Sequence, residues 1–138
     1  MADTSFSDTT ATTPGTSIVS AWLNVVNKFV YWGRNPNYAV TTGTANAQIL
    51  TIVDSLQTAI SGGDTYTFKA SLSNTLTATL TLICGSTTVV NTATVKTQDL
   101  TNLSAGAILQ DSIYTVIYEA TGGYWILLGT TQPAILLE

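Results

Sequence analysis

The chain contains no histidine and only one cysteine, Cys84. Without imidazole there is no Ser–His or Cys–His pair and no histidine metal ligand. One thiol supplies neither a thiolate zinc site nor an intrachain disulfide. Cys84 closes an alternating apolar stretch, so it reads as a buried free thiol. Charge is equally scarce: Asp, Glu, Lys and Arg make up 9% of the 138 residues, against roughly 25% in an ordinary domain. The four basic residues, Lys28, Arg34, Lys69 and Lys96, form no run and the net charge is −4, which argues against a nucleic-acid partner. No apolar run approaches the roughly 18 residues of a spanning helix, so no membrane insertion is expected. Residues 1–17 hold no apolar stretch of the kind found in a secretory leader, and a cytoplasmic site of synthesis is expected.

The remaining catalytic inventory is thin. The carboxylates Asp3, Asp8, Asp54, Asp64, Asp99, Asp111, Glu119 and Glu138 fall singly, with no pair whose spacing suggests glycoside hydrolysis. Gly62-Gly63 and Gly122-Gly123 read as turns and form no phosphate-binding pattern. Asp64, after the first doublet, reads as a turn aspartate in preference to a calcium ligand. The chain is therefore expected not to be an enzyme and to carry no cofactor and no metal.

Threonine, at about one residue in five, takes the place of the missing charge and suits a pleated, half-buried surface. Low charge with a mean hydropathy of +0.30 suggests that much of the surface is covered in the working state, as in a subunit of an assembly.

Ser17–Tyr31 carries two apolar seams. One runs Val19, Leu23, Val26, Val30, in the four–three–four steps of a coiled-coil seam. The other runs Ile18, Trp22, Val25, Phe29, rotated by about 100° around the helix. A helix packing on one core needs a single stripe, so one seam is expected to pack on the chain's own domain and the other on further copies of the chain. Thr16 or Ser17 can cap this helix, and Gly33 and Pro36 stop it. Ahead of it, residues 1–16 are polar, Thr- and Ser-rich, and read as an extended arm.

From Tyr38 onward the apolar period changes from helical to two. Strands are expected at 38–42, 47–53, 65–70, 76–84, 87–95, 112–119 and 124–129, with a turn at 43–46. In 76–84, Leu76, Ala78, Leu80, Leu82 and Cys84 are expected to face inward. Leu56 and Ile60, four apart, suggest one helical turn within 54–63. In the loop 98–110, Leu100, Leu103, Ile108 and Leu109 are expected to tuck inward. Seven or eight short strands indicate an antiparallel β-sandwich or barrel. The chain is thus expected to be mainly β: an arm (1–16), a helix and linker for attachment and oligomerisation (17–37), a β-module (38–129) and an apolar tail (130–138). In that tail Ile135, Leu136 and Leu137 would be wet in a monomer, and docking on a neighbour would bury them. Tyr124 and Trp125, after a glycine turn, are candidates for a sugar-binding platform, although packing in a core or interface suits such rings better.

Ser20–Tyr31, SAWLNVVNKFVY, resembles the xxWLNDVNxxVY stretch near the N-terminus of many tail-fibre and tail-appendage proteins of tailed bacteriophages, with Val25 in place of the usual acidic residue. The module that follows resembles a β-domain of phage fibres and other virion proteins. The matching pieces are 43–47, 67–70, 74–75 with 78–81, 103–106, and 113–118 with 125–129, covering roughly positions 20–129 together. The resemblance implies a homotrimeric structural component of the virion, with the helix near the threefold axis or at the junction with the particle, and with itself and other virion proteins as partners. A tail fibre, appendage or adaptor is expected first. A capsid decoration (cement or head-fibre) protein and a glycan-binding host-recognition module are the alternatives.

Overall fold

The computed structural model describes residues 20–53 and 55–129. One helix, α1 (Ser20–Trp32), precedes eight strands: β1 (Tyr38–Val40), β2 (Thr42–Thr44), β3 (Ala47–Ile52), β4 (Thr65–Lys69), β5 (Thr79–Cys84), β6 (Thr87–Lys96), β7 (Ile113–Glu119) and β8 (Tyr124–Leu127). The helix ends where Gly33 enters the left-handed region (φ 62°), and the Arg34 amide donates back to the Lys28 carbonyl at 3.1 Å. A residue with a Cβ would be strained at that conformation, so the glycine terminates α1 cleanly. The arm and the apolar tail proposed from the sequence lie outside the described residues.

The strands form one sheet in the order β1-β4-β7-β8-β6-β5-β3-β2. Its first and last members, β1 and β2, are consecutive in the chain and separated only by Thr41. Segment 38–44 therefore crosses from one end of the sheet to the other and draws it into a nearly closed barrel. The mainly-β class and the strand number match the sequence reading. The pairing is mixed, however: β1–β4, β3–β5 and β6–β8 are parallel and the other four ladders antiparallel.

Alternation places the core. Gln48, Leu50 and Ile52 of β3, Tyr66 and Phe68 of β4, Leu80, Leu82 and Cys84 of β5, Val116 of β7, and Trp125 and Leu127 of β8 all point inward and are buried. Trp125 is the centre of this packing. Its ring meets Tyr118 at 5.1 Å and Tyr66 at 5.9 Å, both edge-on, and its indole N–H donates to the Leu80 carbonyl at 3.1 Å. Burial of an aromatic of this size with its polar edge satisfied is among the largest single contributions available to a small core. Burial beside the Cys84 thiol and Asp64 raises the Tyr66 phenol well above its ordinary pKa, with desolvation the largest cause. Cys84 is buried and free.

Three local expectations are corrected. No helical turn forms in the described part of 54–63. Side chains claim the groups such a turn would use: Ser55 Oγ accepts from the Gln57 amide at 3.1 Å and Asp64 Oδ2 from the Ser61 amide at 3.0 Å. Ile60 packs on the core, whereas Leu56 is exposed. β5 begins only at Thr79, and Leu76 is 69% exposed. The Asn46 carboxamide oxygen accepts from both the Thr75 and Leu76 amides, at 2.8 and 3.0 Å, holding that stretch off the sheet. In the loop after β6, Leu103 and Ile108 are buried as expected, but Leu100 and Leu109 are exposed. Leu100 sits at φ 65° in a turn whose amide bonds back to Thr97.

Candidate functional site

The residues singled out from the sequence fall in three places. Ile18, Val19, Ile135, Leu136 and Leu137 lie outside the described residues. Trp22 and Val25 lie on α1. For the rest of that helix the exposure is informative: Leu23 is 42%, Phe29 54% and Val30 61% exposed, while Val26 is half-buried. Leu23 and Val30 belong to one seam and Phe29 to the other, so apolar surface of both faces solvent. Burying a side chain of this size is worth about 1.5–3 kcal/mol, a stabilisation these exposed side chains do not gain within the described residues.

Tyr124 and Trp125 do not form a platform. Trp125 is 0% exposed; in a β-strand neighbouring residues point to opposite faces, and the inward one here is the tryptophan. A ring with no exposed surface has nothing to stack on a sugar. Tyr124, on the outer face, lies against its own turn: a Cβ on Gly122 would run into the Tyr124 ring, and the Lys96 ammonium sits 4.6 Å from the ring centroid. The same turn is fastened by Glu119, which accepts from the amides of Gly122 at 2.6 Å and Thr121 at 3.1 Å. These bonds, the Gly122 amide foremost, hold its carboxyl below the ordinary glutamate value.

Two features were not read from the sequence. The first is a set of buried polar side chains. Thr41 Oγ1 donates to Gln48 Oε1 at 2.8 Å and accepts from the Ser71 amide at 3.0 Å, and Gln48 Nε2 donates to the Leu72 carbonyl at 2.9 Å. This cluster sits at the one residue where the chain changes sheet partner, and it seals that end of the barrel. Asn74 Nδ2 donates to the carbonyls of Leu76 and Ser104, both at 2.8 Å, and its Oδ1 accepts from the Ile108 amide at 2.8 Å. A period-two pattern marks apolar residues, so polar groups buried for their hydrogen bonds give no signal in it.

The second feature is a cleft of about 430 Å³ lined by Lys28, Arg34, Asn35, Pro36, Tyr38, Ala39, Val40, Thr51, Ile52 and Val53. It opens where β1 and β3 part. In the β2–β3 ladder Thr42 faces Ile49; continued past Thr41, that register would set Val40 against Thr51 and Tyr38 against Val53. Instead β1 leaves to pair with β4, Tyr38 opposite Thr67 and Val40 opposite Lys69, and the hairpin splays into a wedge.

Among the described residues no three His, Cys, Asp or Glu side chains gather in a way that could hold a metal ion. No helix among them is long and apolar enough to cross a membrane. No protein-family model matches the chain, and no curated protein matches it.

Proposed function

We propose that this chain is a small homotrimeric structural protein of a tailed-bacteriophage virion, a tail fibre, appendage or adaptor, and not an enzyme. The observation that carries the proposal is the solvent-facing apolar surface of α1, formed by Leu23, Phe29 and Val30. A helix that leads into a charge-poor barrel and presents apolar residues from two seams has the form of an oligomerisation and attachment element. The resemblance of its sequence to the WLNxVNxxVY stretch of phage tail proteins gives that element an address. In this reading α1 joins three copies and fixes them to the particle, while the barrel projects outward or docks the next component. The glycan-binding alternative loses Trp125, which has no exposed ring face.

The test is quantitative mass spectrometry of purified phage particles encoding the chain. The expected result is the chain as a stoichiometric component at the low copy number of a tail part. A copy number on the scale of the shell subunits would move it to the capsid as a decoration protein, and absence from the particle would overturn the proposal.

A further inference from the structure

The residues that alternate with the core make up the outer face of the sheet, and from β1 to β8 the ladders set them in rows. Tyr38 stands beside Thr67 and Thr67 beside Thr115, whose carbonyl accepts from the Leu128 amide at 2.9 Å. On one side of this row lie Val40, Lys69 and Ile113, and on the other Thr65, Ile117, Ile126 and Lys96. The Thr67 and Thr115 hydroxyls meet at 3.1 Å, as side chains of one row on one face do. Three rows on four strands measure roughly 14 Å each way. Apart from the threonines and the two lysines, the side chains are apolar: Ile113 is 62%, Val40 52%, Tyr38 40% and Leu128 36% exposed, and Ile117 and Ile126 are half-buried. The lysines sit on the border of the face and are engaged, Lys69 with the Asp111 carboxylate at 3.3 Å and Lys96 over the Tyr124 ring. A contiguous apolar face rimmed by polar groups marks a surface that is covered in the working state.

The chain itself supplies an occupant at the border of this face. β8 ends at Leu127. Alternation with the buried Trp125 and Leu127 puts Leu128 on the outer side, and Gly129 then takes φ 75°, a left-handed step that breaks the extended run. From there the sequence continues Thr130-Thr131-Gln132-Pro133-Ala134-Ile135-Leu136-Leu137-Glu138, with four apolar residues in succession and no charge before Glu138. Reach is ample. Nine residues extend up to about 30 Å, and the four apolar ones about 13 Å. The far side of the face, at β1, is three strand spacings or about 14 Å from β8. Because it starts on the face, the segment meets it at the roughly millimolar local concentration of a short linker, and no second molecule is required.

We infer that segment 130–138 covers the outer face of β4, β7 and β8 of its own barrel, with Ile135, Leu136 and Leu137 packed on Ile113, Ile117 and Leu128. Self-association through α1 is not required for this cover.

Methyl NMR of the full-length chain tests it. In a uniformly labelled sample, nuclear Overhauser contacts are expected between the methyls of Ile135, Leu136 or Leu137 and those of Ile113, Ile117 or Leu128. They should be absent from the isotope-filtered spectrum of labelled and unlabelled chains refolded together, which reports only contacts between chains. Ile113→Asp, at a position 62% exposed, sets a charge in the apolar face; the contacts should be lost while the amide spectrum of the barrel is kept. Contacts found only between chains would assign the segment to a neighbour and overturn the inference. So would the absence of any contact with this face, or contacts that Ile113→Asp leaves at full strength. If the contacts are present in a chain of single mass, the helix-based trimer falls and the cover stands. If the chain is a trimer without them, the cover falls alone.

Discussion

Replacing Thr41 by valine removes one hydroxyl from a buried site and little else, since the two side chains have nearly the same shape. The loss is concentrated where the barrel closes. Thr41 is 1% and Gln48 2% exposed, so the Gln48 Oε1 atom that receives the threonine proton at 2.8 Å has no water to turn to. The Ser71 amide, 3.0 Å from Thr41 Oγ1, loses its acceptor as well. A buried polar group left without its partner costs about 1–3 kcal/mol. Two such groups, one of them only half-buried, give an expected destabilisation of about 2–4 kcal/mol for Thr41→Val. Thr41→Ser keeps the hydroxyl and loses one methyl, which should cost about 1 kcal/mol. Urea denaturation followed by tryptophan fluorescence, with an unchanged slope, reads both values. A Thr41→Val chain within about 0.5 kcal/mol of the parent, or one more stable than Thr41→Ser, would refute the view that this hydroxyl fastens the two ends of the sheet.

Asn74→Ala should cost about 3 kcal/mol in the same assay, because the Ile108 amide and the carbonyls of Leu76 and Ser104 lose their partner together. Trp125→Phe should cost about 2–3 kcal/mol through the lost bond to the Leu80 carbonyl and the space left beside Tyr66 and Tyr118. Glu119 should titrate below its ordinary value of 4.5. Because its folded pKa is depressed, its contribution to stability is present above the unfolded pKa and fades as the pH falls through the folded one. The Gly122 amide shift in NMR should follow that titration, and Glu119→Gln should abolish it.

Much of the barrel was legible in the sequence because burial on one face writes a period of two, and the stretches around Phe68 and Leu82 keep it, whereas around Val116 apolar residues run together at 113, 114 and 116–118 and only Val116 is buried. The direction of pairing was not, since a strand reads the same whether its neighbour runs parallel or antiparallel, and three ladders proved parallel. β6 hides a break in phase as well. Leu80 pairs with Ala93 and Leu82 with Val90, so Asn91 and Thr92 share the place opposite Thr81, and Thr92 adopts φ 50° to allow it. Leu76 misled because its apolar character continued the alternation of β5, while the bonds that lift it away come from Asn46, thirty positions earlier. Thr41 gave no sign of its role for a similar reason: its partners, Gln48 and Ser71, are brought to it by the fold. On the helix, one of the two seams was expected to pack on the chain's own domain, yet Leu23 and Val30 of one seam and Phe29 of the other all face solvent, because spacing shows that a face is apolar without showing what covers it.

The central claim is that α1 brings copies of this chain together, and the native mass of the purified full-length protein tests it most directly. Light scattering should give three times the chain mass of 14.5 kDa, reduced to a single chain by Leu23→Asp or Val30→Asp with the far-ultraviolet β signature intact. A single chain at every concentration, or a trimer indifferent to both substitutions, would contradict the account.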